Sequence, residues 1–222
     1  MNKIFLSLLF CGVVIHQSGS AQKITHEAGF FLGTSFYMGD INPTRVFYAP
    51  SLAFGALYKM NITDMQSLRV QVNYGEIKGN DKDFNNAYQQ YRGASFSASL
   101  IDINLNYEFN FLPLQYKERK TTFSPFIFGG VGFDLPLKSP GGVPGHPSLP
   151  FGAGLKYLPA KNITMGVEWS FRKTFIDNID GVLNPGNNID KSLINNTDWY
   201  SFAGFFITFR LFDNSNDCPA YK

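Results

Sequence analysis

Cysteine, histidine and charge are all scarce in this sequence, and each scarcity removes a class of function. The cysteines are Cys11 and Cys218, and three histidines complete a set too sparse for the Cys/His cluster that holds zinc. A net charge of +2, from charged residues that make up 16% of the chain, is too slight for a nucleic-acid footprint. After the first twenty-odd residues no apolar run is long enough to cross a roughly 30 Å hydrocarbon core as a helix. Helix-favouring segments are scarce throughout. A membrane-inserted reading therefore has to rest on strands.

What the sequence does hold is aromatic side chains and glycine: 23 Phe, 11 Tyr and 21 Gly in 222 residues. That mixture suits strands that meet lipid on one face and bend to close a barrel. Residues Met1 to Ala21 carry Lys3, an apolar run from Ile4 to Ile15, and the small residues Gly19-Ser20-Ala21. This is the order of a secretory signal peptide, with cleavage before Gln22. Phe10 is too bulky for the position before a lipidated cysteine, so Cys11 does not mark a lipoprotein.

Alternation with a period of two carries the fold class. Ile101, Ile103, Leu105, Tyr107 and Phe109 interleave with Asp102, Asn104, Asn106, Glu108 and Asn110, a spacing no helix can use. Ile163, Met165, Val167, Trp169 and Phe171 alternate in the same way with Thr164, Gly166, Glu168, Ser170 and Arg172. Ala28 to Met38 and the stretch from Leu68 to Gly75 follow suit, and Leu52 to Lys59, Phe126 to Phe133, Phe151 to Tyr157 and Tyr200 to Phe212 are weaker members. The total is about eight strands, the smallest common outer-membrane barrel.

A soluble sandwich would alternate too, so loop lengths have to separate the two. The connections at Asn61-Ile62-Thr63-Asp64 and at Pro159 to Asn162 are short. Those at Gly39 to Arg45, Lys78 to Gly93, Lys138 to Pro147 and Lys173 to Asn196 are long. Short periplasmic turns alternating with long extracellular loops make an antiparallel outer-membrane barrel with both termini in the periplasm. The barrel then spans 22–212, ends on an aromatic strand, and is followed by a tail over 213–222. No second domain is expected.

The polar face of these strands presents Lys59, Arg69, Asp102, Glu108, Lys156, Glu168, Arg172 and Arg210 to the lumen. Eight strands enclose a space that side chains fill, so a structural salt-bridge network is favoured over a conduction path. Catalysis is not expected. His26 stands at the edge of the first strand, and His146, in Pro144-Gly145-His146-Pro147-Ser148, reads as a solvated imidazole in a turn-rich loop. Asp81-Lys82-Asp83-Phe84-Asn85 opens like a calcium loop, but Asn86 stands where glycine is needed and Arg92 where a bidentate Glu belongs. Asp177, Asp180 and Asp190 read as surface-loop polarity. Neither metal nor cofactor is expected. Cys218, alone in the tail, is the candidate partner-binding residue, since an unpaired thiol in an oxidising compartment invites an intermolecular disulfide.

Several segments resemble a known family: Gly33-Thr34-Ser35-Phe36-Tyr37-Met38-Gly39-Asp40-Ile41-Asn42-Pro43, Gly152-Ala153-Gly154-Leu155-Lys156-Tyr157, Gly166-Val167-Glu168-Trp169, Arg172-Lys173-Thr174, Ile176-Asp177-Asn178-Ile179-Asp180-Gly181 and the Cys218-Pro219 ending. Together they are similar to the PorG-type outer-membrane proteins of the type IX secretion system. The resemblance implies a barrel that ties a periplasmic ring of a PorK-like lipoprotein and its PorN-like partner to the outer membrane, in support of secretion and gliding. It brings no catalytic residues. The main rival is a small adhesin or envelope barrel acting through its outer loops, since fold does not dictate function.

Overall fold

A computed structural model of the chain describes residues 24–38, 42, 45–84, 90–91, 93, 95–114, 121–138, 144–175 and 199–211. The expected signal peptide, the tail with Cys218, and Asp177, Asp180 and Asp190 lie outside them. The described chain forms eight strands: β1 (Thr25–Met38), β2 (Ser51–Asn61), β3 (Gln66–Asn80), β4 (Ser95–Asn110), β5 (Phe123–Lys138), β6 (His146–Ala160), β7 (Ile163–Thr174) and β8 (Trp199–Arg210). Each pairs antiparallel with the next. β1 pairs with β8 from Glu27↔Arg210 to Met38↔Trp199, which closes the barrel in simple sequential order.

Closure removes sheet edges, and it bends the strands tightly. Glycine meets that bend where backbones press together: a Cβ on Gly29 would stand 1.8 Å from the Ile207 carbonyl oxygen, and one on Gly130 1.9 Å from that of Leu105.

Outward residues form an apolar belt. Phe30, Leu32, Leu52, Val131 and Phe205 are each more than half exposed. A water-soluble protein rarely leaves so continuous an apolar surface uncovered. Aromatic side chains stand at both rims of the belt: Tyr58, Tyr107, Phe123 and Tyr157 at the end with short turns, Phe151, Trp169, Phe171 and Trp199 at the other. These are the girdles of a transmembrane barrel.

The strands run further than the alternation indicates, chiefly at the loop end. β3 continues to Asn80 and β4 begins at Ser95, so Lys78 to Asn80 belong to a strand and not to a loop. The reason is an inversion of the pattern. Here the outward face turns polar, with Lys78 3.0 Å from Glu76 and the Ser97 hydroxyl donating to Glu76 at 2.7 Å. The inward face turns apolar, and Ile77, Phe96 and Ala98 join Tyr37 and Phe84 in a buried cluster across the mouth of the lumen. Similarly, β6 starts at His146 and β7 runs through Thr174.

At the turn end Thr63 organises the β2–β3 turn by accepting at its hydroxyl from the Met65 and Gln66 amides. The β4–β5 connection also lies at this end, and its start is braced. The Leu114 amide donates to the Asp64 carbonyl at 3.1 Å, the Leu112 amide donates to the Ser124 hydroxyl, and Leu114 is buried. Phe111 and Leu112 remain about half exposed.

Candidate functional site

The lumen collects the polar face of all eight strands. Its charged side chains pair in three tiers. Nearest the turns, Glu27 on β1 receives Lys59 on β2 at 2.8 Å, the Asn61 amide at 2.6 Å and the Thr208 hydroxyl at 2.6 Å. In the middle, Arg69 reaches from β3 to Glu168 on β7 at 2.6 Å and stands 3.5 Å from Glu108 on β4, which also pairs with Lys156 on β6. Towards the loops, Arg172 on β7 contacts Asp102 on β4 at 3.0 Å through Nη2 and again through Nε. The Asn73 and Asn104 amides donate to the same Asp102 oxygen.

Arg69, Arg172, Lys59 and Lys156 are among the largest fully buried side chains of the protein. Four buried cations are tolerable only because each has a carboxylate within reach. Three also lie over inward aromatic rings: Arg69 4.3 Å from the Phe128 centroid, Lys156 4.4 Å from Phe126 and Arg172 5.3 Å from Phe202. Such contacts gain strength when desolvated. The abundant phenylalanine, read from composition as lipid contact, thus serves both faces: Phe31, Phe126, Phe128, Phe202 and Phe206 are buried inside.

Of the charged residues expected in the lumen, Arg69, Asp102, Glu108, Glu168 and Arg172 meet in the middle and upper tiers. Arg210 stands at the turn end, half-buried and in register with Glu27. Sequence reasoning missed Glu27 and Asp134. Both sit one position beyond the strand ends read from the alternation, so extending each strand by one residue would have found them.

His146 is a correction. It is not a solvated loop residue but the first residue of β6, buried in the lumen with its Nε2 3.5 Å from Asp134 on β5. The strand begins earlier than the turn-rich sequence around Pro144 and Pro147 indicates, and His146 falls on its inward face. His26 faces outward at the turn end, its Nδ1 2.7 Å from the Tyr58 hydroxyl. Asp81–Asp83 form a short 3-10 turn in which the Asn80 side chain accepts from the Lys82 amide. Among the described residues no three His, Cys, Asp or Glu side chains gather as metal ligands.

The β1–β2 segment straddles the rim at the loop end. Phe47, at φ 59°, folds down the outer wall onto Phe36 at 4.7 Å and Trp169 at 5.6 Å between ring centroids. Tyr48 turns the opposite way, packs on Phe84 over the lumen mouth, and hydrogen-bonds Asp83 and the Asn80 carbonyl. Burial and the Asp83 carboxylate beside it push the Tyr48 phenol up to about 12.

Among solved structures the chain is similar to Neisserial surface protein A, at 12% identity and a TM-score of 0.50 over 85% of this chain and 97% of that one. It is also similar to the N-terminal barrel domain of OprF from Pseudomonas aeruginosa, at 13% identity and 0.46 over 85% and 98%. OprG from the same organism aligns at 9% identity and 0.46 over 87% and 100%. At such identities the likeness is one of fold alone, that of outer-membrane β-barrels. No curated protein matches the chain in sequence. A family model described as a domain of unknown function (DUF6089) matches residues 3–137 and 145–220, and with nearly the whole sequence matched the chain belongs to that family.

Proposed function

We propose that this protein is a non-enzymatic outer-membrane component of type IX secretion and gliding machinery, inserted with both termini in the periplasm. In this role it anchors a PorK-like lipoprotein ring and its PorN-like partner. The observation that carries the reading is the filled lumen: among the described residues, three tiers of buried ion pairs lie under an aromatic mouth, which turns attention to the two ends. Sequence resemblance to PorG-type proteins then selects the periplasmic end. The braced start of the β4–β5 connection, with Phe111 and Leu112 half exposed, gives that end an apolar surface, and Cys218 in the tail supplies a thiol for covalent attachment.

A second reading has its own support. β3 and β4 project beyond the apolar belt with a polar outer face at Glu76, Lys78 and Ser97, which suits an adhesin working through its outer loops.

Cross-linking in intact cells, purification of the tagged barrel in mild detergent, and identification of co-purifying proteins separates the two. Recovery of periplasmic ring lipoproteins is expected, with a reductant-sensitive fraction lost in Cys218→Ser. Recovery of the barrel alone, together with unimpaired secretion in a deletion strain, would overturn the anchor reading in favour of the adhesin.

A further inference from the structure

The upper part of the β5–β6 seam is poor in backbone hydrogen-bond donors. β6 carries Pro150, which has no N–H to offer β5, and the register, continuous from Phe123↔Tyr157 to Gly129↔Phe151, resumes only at Gly132↔Ser148. Side chains reinforce the pairing there. The Ser148 hydroxyl donates to Asp134 Oδ1 at 3.0 Å, and His146, the register partner of Asp134, places Nε2 3.5 Å from Oδ2. Asp134 and His146 are both essentially inaccessible to water.

The imidazole has a defined orientation, with Nδ1 3.2 Å from the Pro144 carbonyl oxygen. A carbonyl oxygen only accepts, so Nδ1 carries a hydrogen. In a neutral ring that leaves a lone pair on Nε2 facing a carboxylate oxygen, acceptor against acceptor. Neither atom has another hydrogen-bond partner of ordinary geometry, and the Tyr200 hydroxyl is the further donor that stands beside the Asp134 carboxylate. One added proton, on either atom, turns this repulsion into a hydrogen bond.

We propose that Asp134 and His146 form a proton-operated latch that holds the upper ends of β5 and β6 together when one proton is shared between Oδ2 and Nε2. Release of that proton leaves the proline-weakened seam with its backbone pairs from Gly132↔Ser148 to Asp134↔His146 and the Ser148 contact. The charged and titratable groups around the pair are Asp102 on β4, Arg172 on β7 and Tyr200 on β8. Asp102 is already engaged by Arg172, which leaves the Asp134–His146 pair as the place where a proton changes the count of hydrogen bonds across the seam. The consequence is a barrel whose loop end is tighter in mildly acidic surroundings than in alkaline ones.

Hydrogen exchange of the folded barrel in nanodiscs, followed by mass spectrometry of peptides over 132–138 and 146–150, reads the latch. It is measured at about pH 5.5 and about pH 8, on either side of the ordinary imidazole range, and corrected for the intrinsic exchange rate. About fivefold slower exchange at the lower pH is expected, the effect of one net hydrogen bond. His146→Gln, whose amide donates at any pH, is expected to hold the seam closed at both. Asp134→Asn, which donates to Nε2, serves as the second variant if the first does not fold. Wild-type exchange independent of pH, or pH dependence that persists in either variant, overturns the proposal.

Discussion

The Arg69 guanidinium crosses the lumen from β3 to stand 2.6 Å from Glu168 on β7, a contact between residues 99 positions apart in sequence. Removing one partner strands a buried charge, whereas removing both does not. Glu168→Ala is expected to lower stability by about 3 kcal/mol, at the smaller end of the usual range because Glu108 lies 3.5 Å from Arg69. Arg69→Met combined with Glu168→Leu is expected to cost less than Glu168→Ala alone. Urea unfolding in detergent micelles, followed by tryptophan fluorescence, measures both. A double variant weaker than the single one would contradict the pairing.

The outer wall is expected to distinguish membrane depth by charge. Phe205 projects from β8 in the middle of the apolar belt, and Phe205→Arg should cost about 2–4 kcal/mol of folding into bilayers. Ser97→Arg, on the polar outer face beside Glu76, should change stability by no more than about 0.5 kcal/mol. Folding yields into lipid vesicles, scored by the mobility of unheated samples in gels, give the comparison. Equal tolerance of the two substitutions would argue against a lipid-facing belt.

Phe47 combines a left-handed backbone with an aromatic contact, so two substitutions there separate the two effects. Phe47→Ala loses the contacts with Phe36 and Trp169 and should cost about 1 kcal/mol, with a red shift of the Trp169 emission. Phe47→Gly loses the same ring but relieves the backbone at φ 59°, and is expected to be more stable than Phe47→Ala by about 1 kcal/mol. The reverse order would mean that the backbone there is not left-handed in solution.

Tyr48 predicts the behaviour of the loop end at high pH. Its phenol is raised in the folded state to about 12, first by burial and then by Asp83, so the neutral form is the one the fold favours. The contribution to stability is complete below the ordinary tyrosine value of about 10 and is lost as pH rises through about 12. Ultraviolet titration should show tyrosine absorbance rising near pH 12 in the wild type, and Tyr48→Phe should remove one tyrosine's share of that late step. An undiminished step would assign the late titration to another residue.

Period-two alternation from Ile101 to Asn110 and from Ile163 to Arg172 was enough to identify strands and their two faces, because sidedness is a local property of an extended chain. Strand ends were less legible where the environment inverts. Above the belt, Glu76 and Lys78 point out while Ile77 and Phe96 point in, so a search for apolar outward positions stops before the strand does. His146 was misplaced for a related reason: the prolines around it signal a turn, whereas the barrel takes Pro147 into a strand.

By itself, then, the sequence determined strands with one greasy and one polar face, because alternation is local to each strand, and its short and long connections in turn pointed to an eight-stranded barrel. Only the tertiary structure decided which charges meet. Arg69 finds Glu168, Arg172 finds Asp102 and Asp134 faces His146 because closing the sheet fixes a register around the whole circumference, and that register is a property of all eight strands at once.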